Sequence, residues 1–376
     1  MRWRAACGLV AVLVGALMIA GCSSDGSTPA VPPASSSSPA ATSPTTTDEP
    51  TAQPDTETSG EPTGEPAREP TPTASAAPPT PPEKVHPVSV PALFEKEYDG
   101  RRLRLGEVIF ETDTYTQYFV TYRSGDLTIS GILNRPRGRG PFPVLVLGHG
   151  YIDPAYYANG QGLRREQDWL ARAGFVVLHT DYRNHASSDD DPTADRKLRL
   201  GYGIDMVNAV MAVKRSPLRF LDGDRVGLLG RSMGGGVVYN ALVAQPGLVD
   251  AAVVYAPVSS HAADNFNRWI RDDPSRSGLS RTILRRYGAP ERNREFWREA
   301  SPRPYFDRIT EPVLIHHGTA DESCPIRWSR TSLRALRRAD VDARMFTYPG
   351  QPHAFDIAWP RSMRRTVRFF ERNLES

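Results

Sequence analysis

The sequence predicts an α/β fold in which a mostly parallel sheet carries helices on both faces and begins with a short antiparallel lead-in. Three observations predict it. Short continuous apolar runs, "PVLVLGHG", "FVVLHTDY", "RVGLLG", "AAVVYAP" and "PVLIHHG", recur through residues 143–318, each too short for a helix and typical of strands buried on both faces. Helical segments lie between them, and strands alternating with helices imply parallel crossovers. Ahead of them, "GEVIFETDT", "QYFVTYRSG" and "LTISGILNRP" are β-rich and turn-bounded, as in consecutive antiparallel strands.

Along the chain, Arg2 and Arg4 precede the apolar run "AACGLVAVLVGALMIAGC", the positive n-region and short h-region of a secretory signal. Its end, Ile19-Ala20-Gly21-Cys22, resembles the lipobox of bacterial lipoproteins, which implies a signal peptide over 1–21 and lipid on Cys22. An uncleaved anchor helix, for which the run is barely long enough, stays open; both readings tether the rest of the protein outside the cytoplasm. Residues 22–84 are rich in Pro, Thr, Ser, Ala and Glu with no Phe, Trp or Tyr, a composition that cannot bury enough apolar surface to fold. As a spacer this segment would span about 45 Å root-mean-square.

The remaining domain, 85–376, is long enough for one large core. The chain's net charge is +3, and the spacer holds nine acidic residues against Arg68 and Lys84, so the domain itself is basic. Such an excess favours anionic surfaces in general, but the arginines are scattered and form no nucleic-acid motif, so they read as a solvated face. Of three cysteines, Cys7 leaves with the signal and Cys22 takes lipid, leaving Cys324 alone and no intrachain disulfide to staple the core.

Within this domain, "GLRREQDWLARAG" places Leu163, Gln167 and Leu170 on one helical face with glycine after its end. "GYGIDMVNAVMAVKRS" repeats Ile204, Val207, Val210 and Met211 likewise. The strand "RVGLLG" ends at Gly230, and Gly230-Arg231-Ser232-Met233-Gly234 leads into the helix candidate "MGGGVVYNALVAQ". This is the strand–turn–helix setting of a nucleophile elbow, with Ser232 at its tip. A helix beginning at Met233 would aim N–H groups at a developing oxyanion. A serine nucleophile needs a base, and the base an orienting acid. In the hydrolases that use this elbow the order is Ser, acid, His. His261, His316, His317 and His353 follow Ser232, and only His353 follows Asp321, so order selects Asp321 and His353; Glu322 is the alternative acid.

"GRSMGG", "PVLIHHGTADESCP" and "YPGQPHAF" resemble the three catalytic blocks of the prolyl oligopeptidase family and of related α/β-hydrolase esterases and dienelactone hydrolases, over roughly residues 120–374. "VLGHGY" resembles their oxyanion block. The resemblance implies an α/β-hydrolase fold, Ser232 as nucleophile, His353 as base then acid, Asp321 as the residue fixing the imidazole tautomer, and the N–H groups of Met233 and Tyr151 as oxyanion hole. It implies no cofactor and no metal. The peptidases precede this domain with a β-propeller, and almost nothing ordered is expected before Arg104 to supply one.

Other residues carry plainer readings. His149 serves its loop through hydrogen bonds. Neighbouring His316 and His317 point to opposite faces of a strand, so one of them belongs to the core and a metal site with Asp321 is not expected. Asp189, Asp190 and Asp191 form a solvated turn, or else recognise a substrate amine or a cation, and Cys324 is a small buried residue. An insertion at 259–306 is placed to cap the site, with Phe266, Trp269, Ile270, Phe296 and Trp297 either walling an apolar pocket or packing its helices. A non-catalytic cell-surface binding protein would share the lipoprotein spacer but has no need of three catalytic blocks in order. The expected reaction is cleavage of a small ester or acyl bond, with short peptides as the alternative substrate.

Overall fold

A computed structural model describes residues 85–375 of the chain. The signal peptide, Cys22 and the spacer lie outside the described residues. Nine strands form one sheet: β1 (Arg101–Glu111), β2 (Tyr115–Ser124), β3 (Leu127–Pro136), β4 (Phe142–Gly148), β5 (Val176–Thr180), β6 (Leu221–Arg231), β7 (Ala251–Tyr255), β8 (Val313–Gly318) and β9 (Ala343–Tyr348). Their spatial order is β1-β2-β3-β5-β4-β6-β7-β8-β9. The pairs β1–β2, β2–β3 and β3–β5 are antiparallel, and every later pair is parallel. The mostly parallel sheet and its antiparallel lead-in are as the apolar runs and the early β-rich segments predict, and the architecture is the α/β-hydrolase fold that the resemblance implies.

The helices are α1 (Pro91–Phe94), α2 (Arg164–Arg172), α3 (Leu200–Lys214), α4 (Met233–Ala244), α5 (Ala262–Trp269), α6 (Ser277–Tyr287), α7 (Arg294–Glu299), α8 (Ile326–Arg338) and α9 (Trp359–Asn373). Strand residues alternate between two cores because successive side chains point to opposite faces. Val144, Val146, Leu228 and Val254 join a core covered by α3 and α4, while Leu145, Leu147, Leu229 and Val253 join one covered by α2 and α9. This double burial is why the strands read as unbroken apolar runs.

Two helices differ in detail from the periodic reading. Leu163 precedes α2 in a left-handed conformation, φ 52°, instead of starting it, while Gln167 and Leu170 are buried as expected. In α3, Ile204 and Met211 are only partly buried, whereas Met206, Ala209 and Val213 are sealed along with Val207 and Val210. The helix is enclosed almost all round, between β1 and β2 on one side and α4 on the other, so no single stripe marks its inward face.

The sheet order fixes where chemistry can occur. After β4 the chain runs through α2 on one face to β5, then through α3 on the other face to β6, on the opposite side of β4. This reversal opens a crevice at the carboxyl ends of β4 and β6, the usual ligand position in open α/β sheets. Gly148 pairs with Gly230, which pairs with Val254, so Tyr151 and Ser232 leave neighbouring strand ends at the same level.

Candidate active site

Ser232 caps α4 with φ 55° and ψ −119°, a strained conformation for a residue with a Cβ. Neighbouring elements hold it there: its N–H donates to the Tyr255 carbonyl (2.9 Å), and its carbonyl accepts from Gly235 N (3.0 Å) and Val258 N (3.1 Å). The turn demands glycine on both sides. A Cβ on Gly230 would lie 2.2 Å from the Gly234 carbonyl oxygen, and one on Gly234 would lie 2.0 Å from that of Gly148. The spacing read from the sequence is thus the clearance that lets α4 press its first turn against the end of β4.

Asp321 lies in the loop after β8 and His353 in the loop after β9. His353 Nδ1 is 2.8 Å from Asp321 Oδ2, and the carboxylate is fully enclosed. Asp321 Oδ1 accepts the backbone N–H groups of Ser323 (2.9 Å) and Cys324 (2.7 Å). Burial acts to raise the Asp321 carboxyl, but hydrogen bonds from His317 and His353 overcome it and hold the group well below the usual carboxylate range. Glu322, the alternative acid, instead accepts the His353 backbone N–H at 3.2 Å. Ser232 and His353 line one cavity of about 650 Å³, together with Tyr151 and Met233. All five residues expected to form the triad and the oxyanion hole therefore gather at one end of the sheet.

The Tyr151 loop is organised from beneath. Its neighbour Gly150 approaches so closely that a Cβ there would be 3.2 Å from Ser232 Cβ. His149 Nδ1 lies 2.6 Å from the Gly150 carbonyl and its Nε2 3.3 Å from the Asp181 carbonyl. Burial, reinforced by His179 and His185, pushes the His149 imidazole down to about 3, so His149 is a neutral brace, as expected. The Asp181 carboxylate takes Tyr157 OH (2.7 Å), Asn159 Nδ2 (2.6 Å), Gly160 N (2.9 Å) and Ser130 Oγ (2.7 Å). Four donors let this buried carboxylate pin residues 157–160, a role with no sequence signal beyond its place at a strand end.

Cys324 is fully buried, and its Sγ is 3.9 Å from Ser232 Oγ. Burial pushes its thiol up to about 12, which keeps it protonated and poorly nucleophilic. His316 sits in the core against Tyr348 OH (2.8 Å) and Thr366 Oγ1 (3.1 Å). His317, also buried, turns to the Asp321 loop. Two of the three loop aspartates bind their own surroundings: Asp191 pairs with Arg183 at 3.1 Å and Asp189 Oδ2 accepts Thr128 N at 2.6 Å.

The insertion forms the outer wall of the cavity and splits the expected aromatics. Phe266, Trp269 and Ile270 line it. Phe296 and Trp297 pack among the helices, with Phe296 stacked 4.3 Å from Tyr287 and Trp297 Nε1 bonded to the Gly288 carbonyl at 3.1 Å. The wall is also more polar than an apolar pocket, because Asn265, Asn267, Asp272 and Arg276 share it. Two guanidinium groups approach the Tyr151 ring, Arg199 at 4.5 Å and Arg276 at 4.7 Å from its centre, so a cation–π contact joins the insertion to the loop after β4. Arg268 ties it to the acid loop through the carbonyls of Glu322 (2.7 Å) and Ser323 (2.6 Å).

Comparison with known proteins places the chain among related sequences and folds. The uncharacterized peptidase YuxL of Bacillus subtilis is 25% identical over 245 residues, covering 62% of this chain and 35% of the relative. The chain thus spans about a third of that relative's length. The acylaminoacyl peptidase of Pyrococcus horikoshii superposes with a TM-score of 0.58 at 21% identity, over 70% of this chain and 42% of that one. Acetyl xylan esterase 1 of Thermoanaerobacterium sp. JW/SL YS485 superposes with a TM-score of 0.57 at 20% identity, over 76% of this chain and 92% of that one. The profile of the prolyl oligopeptidase family matches residues 161–376, the span that carries Ser232, Asp321 and His353. The chain belongs to the prolyl oligopeptidase family.

Proposed function

We propose that the protein hydrolyses small esters through an acyl-enzyme on Ser232, and that it does so outside the cytoplasm, tethered through Cys22. Ser232 Oγ attacks the substrate carbonyl carbon and its proton passes to His353 Nε2. The oxyanion lies against the N–H groups of Met233 and Tyr151. Collapse of this intermediate breaks the ester C–O bond, and His353 returns the proton to the departing alcohol. Water repeats the sequence to free the acid and Ser232. Asp321 holds His353 with Nδ1 protonated throughout, leaving Nε2 to accept.

The observation that carries the ester reading is the make-up of the cavity. Its walls are helices and loops, and none of its lining residues belongs to one of the nine strands. An extended peptide gains register by adding to a strand edge, and no such edge borders the cavity. Its volume suits a compact acyl or alcohol group. An ester also asks less of the site, because alkoxide leaves more readily than amine and needs less help from the acid. Family relatives described as peptidases keep short peptides as the outcome to test against. A paired panel of short p-nitrophenyl esters and aminoacyl or dipeptidyl nitroanilides, compared by kcat/KM, decides between them. Nitroanilide turnover below about 10³ M⁻¹s⁻¹ is expected; a value above about 10⁴ M⁻¹s⁻¹, ordinary for an enzyme on its own substrate, would overturn the ester preference.

The tether rests on the arginine-flanked apolar run and the lipobox-like end at Cys22. Cys22→Ala is expected to move the protein from the membrane to the soluble fraction, since acyl chains on that residue supply the anchor. Retention of the variant in washed membranes would favour the uncleaved helix.

A further inference from the structure

We infer that His317, which takes no direct part in the proposed reaction, is a positioning residue that shares the Asp321 carboxylate with His353 and weakens its hold on that base. The inference rests on the triad assignment above. Both nitrogens of the buried His317 ring are engaged. Nδ1 lies 2.7 Å from Ser329 Oγ on α8; Nε2 lies 2.8 Å from the Cys324 carbonyl oxygen and 3.1 Å from Asp321 Oδ2. A carbonyl and an ionised carboxylate can only accept. Nε2 therefore carries a proton, and the Ser329 hydroxyl is free to donate to Nδ1.

Asp321 Oδ2 consequently faces N–H groups from two imidazoles, while Oδ1 faces two from the backbone. The charged and titratable groups packed around this cluster are few. The loop after β8 brings Asp321, Glu322 and Cys324, and the loop after β9 brings His353. Helix α5 brings Arg268, bonded to the carbonyls of Glu322 and Ser323. Helix α8 contributes the uncharged Ser329. Among the described residues, Asp321 is the one carboxylate that either imidazole bonds through its ring.

Each N–H that Asp321 accepts draws on the same negative charge, so a donor from His317 leaves less for the N–H of His353. During the reaction His353 becomes an imidazolium that Asp321 stabilises. A weaker hold lets the imidazolium lose its proton at lower pH, so more of the enzyme has a free base in mildly acidic solution. Without the His317 donor, Asp321 would grip the imidazolium harder, and the acid limb of kcat/KM would move to higher pH.

The test compares wild type, His317→Gln and His317→Leu on one p-nitrophenyl ester from pH 5 to 9, with active sites counted by fluorophosphonate titration. Glutamine keeps an N–H at similar reach and is expected to keep the wild-type limb. Leucine fills the ring's space without a donor, and its limb should rise by about half to one pH unit. Its deficit relative to wild type should then reach about three- to tenfold more at pH 6 than at pH 9. An equal loss at every pH, an unmoved limb, or glutamine behaving like leucine would assign His317 to packing alone and overturn the inference. Should the leucine variant not fold, imidazole N–H resonances of ¹⁵N-histidine-labelled wild type give the same answer, with the His317 signal assigned from its absence in His317→Gln. The His317 Nε2–H signal must shift in step with the titration of His353, and a signal indifferent to it would sink the sharing. A wild type with no acid limb and no label on Ser232 would instead remove the triad assignment, and the inference with it.

Discussion

Ser232→Ala will lower turnover on the order of 10⁴-fold or more while leaving the fold intact, because the substitution removes a hydroxyl that bonds nothing structural. Among the described residues, the hydrogen-bonding contact of Oγ is with Cys324 Sγ at 3.9 Å, beyond a strong hydrogen bond. The backbone strain at φ 55° is held by the Tyr255 and Val258 contacts and by the glycines either side, none of which the mutation touches. Thermal stability should therefore stay within about 1 kcal/mol of wild type, the range of substitutions that disturb no packing. The complementary measurement is covalent. A fluorophosphonate should add to Ser232 in folded protein and be found there by mass spectrometry, with no adduct in the alanine variant. Cys324 offers no bypass, since burial keeps it a thiol. An alanine variant within tenfold of wild type, or label on another residue, would displace Ser232 from the chemistry.

The legibility of this protein followed the range of the interactions involved. Strands β4 to β8 were readable because both faces are buried, so their apolar runs needed no knowledge of neighbours. The elbow was readable because its glycine spacing is a local steric requirement, visible in the 2.0 and 2.2 Å clearances at Gly234 and Gly230. Asp321 and His353 came from chain order, a constraint that survives without coordinates. The inward face of α3 was not readable, because a helix packed by β1, β2 and α4 together has no stripe to find. Arg199 and Arg276, which both approach the Tyr151 ring, come from segments some 77 residues apart in the chain; no local pattern could pair them. Asp181 and His317 are similar cases. Each is an ordinary residue at a strand end until the fold shows which loops it faces.

Asp321→Asn should be almost as damaging as the loss of the serine, about 10⁴-fold in kcat, and the reason lies in the four donors around this side chain. A carboxylate accepts at both oxygens, whereas an amide accepts at one end and donates at the other. Oδ1 meets the backbone N–H groups of Ser323 and Cys324, which cannot turn away without remodelling the loop. The amide nitrogen is therefore driven to the Oδ2 position, where it faces His353 and His317. His317 can leave its proton with the Cys324 carbonyl at 2.8 Å. His353 has no such second acceptor for Nδ1 and must switch tautomer, taking a hydrogen bond at Nδ1 and placing its proton on Nε2. That nitrogen then cannot take the Ser232 proton, and the triad is disabled with its geometry nearly unchanged. Steady-state kinetics beside circular dichroism will show a native spectrum with the collapse in kcat. Glu322→Gln is the control: its side chain bonds only the His353 backbone N–H, so activity should stay within about threefold of wild type, as for substitutions away from the reacting atoms. A loss below about 10² for Asp321→Asn, joined by a larger one for Glu322→Gln, would transfer the orienting role to Glu322.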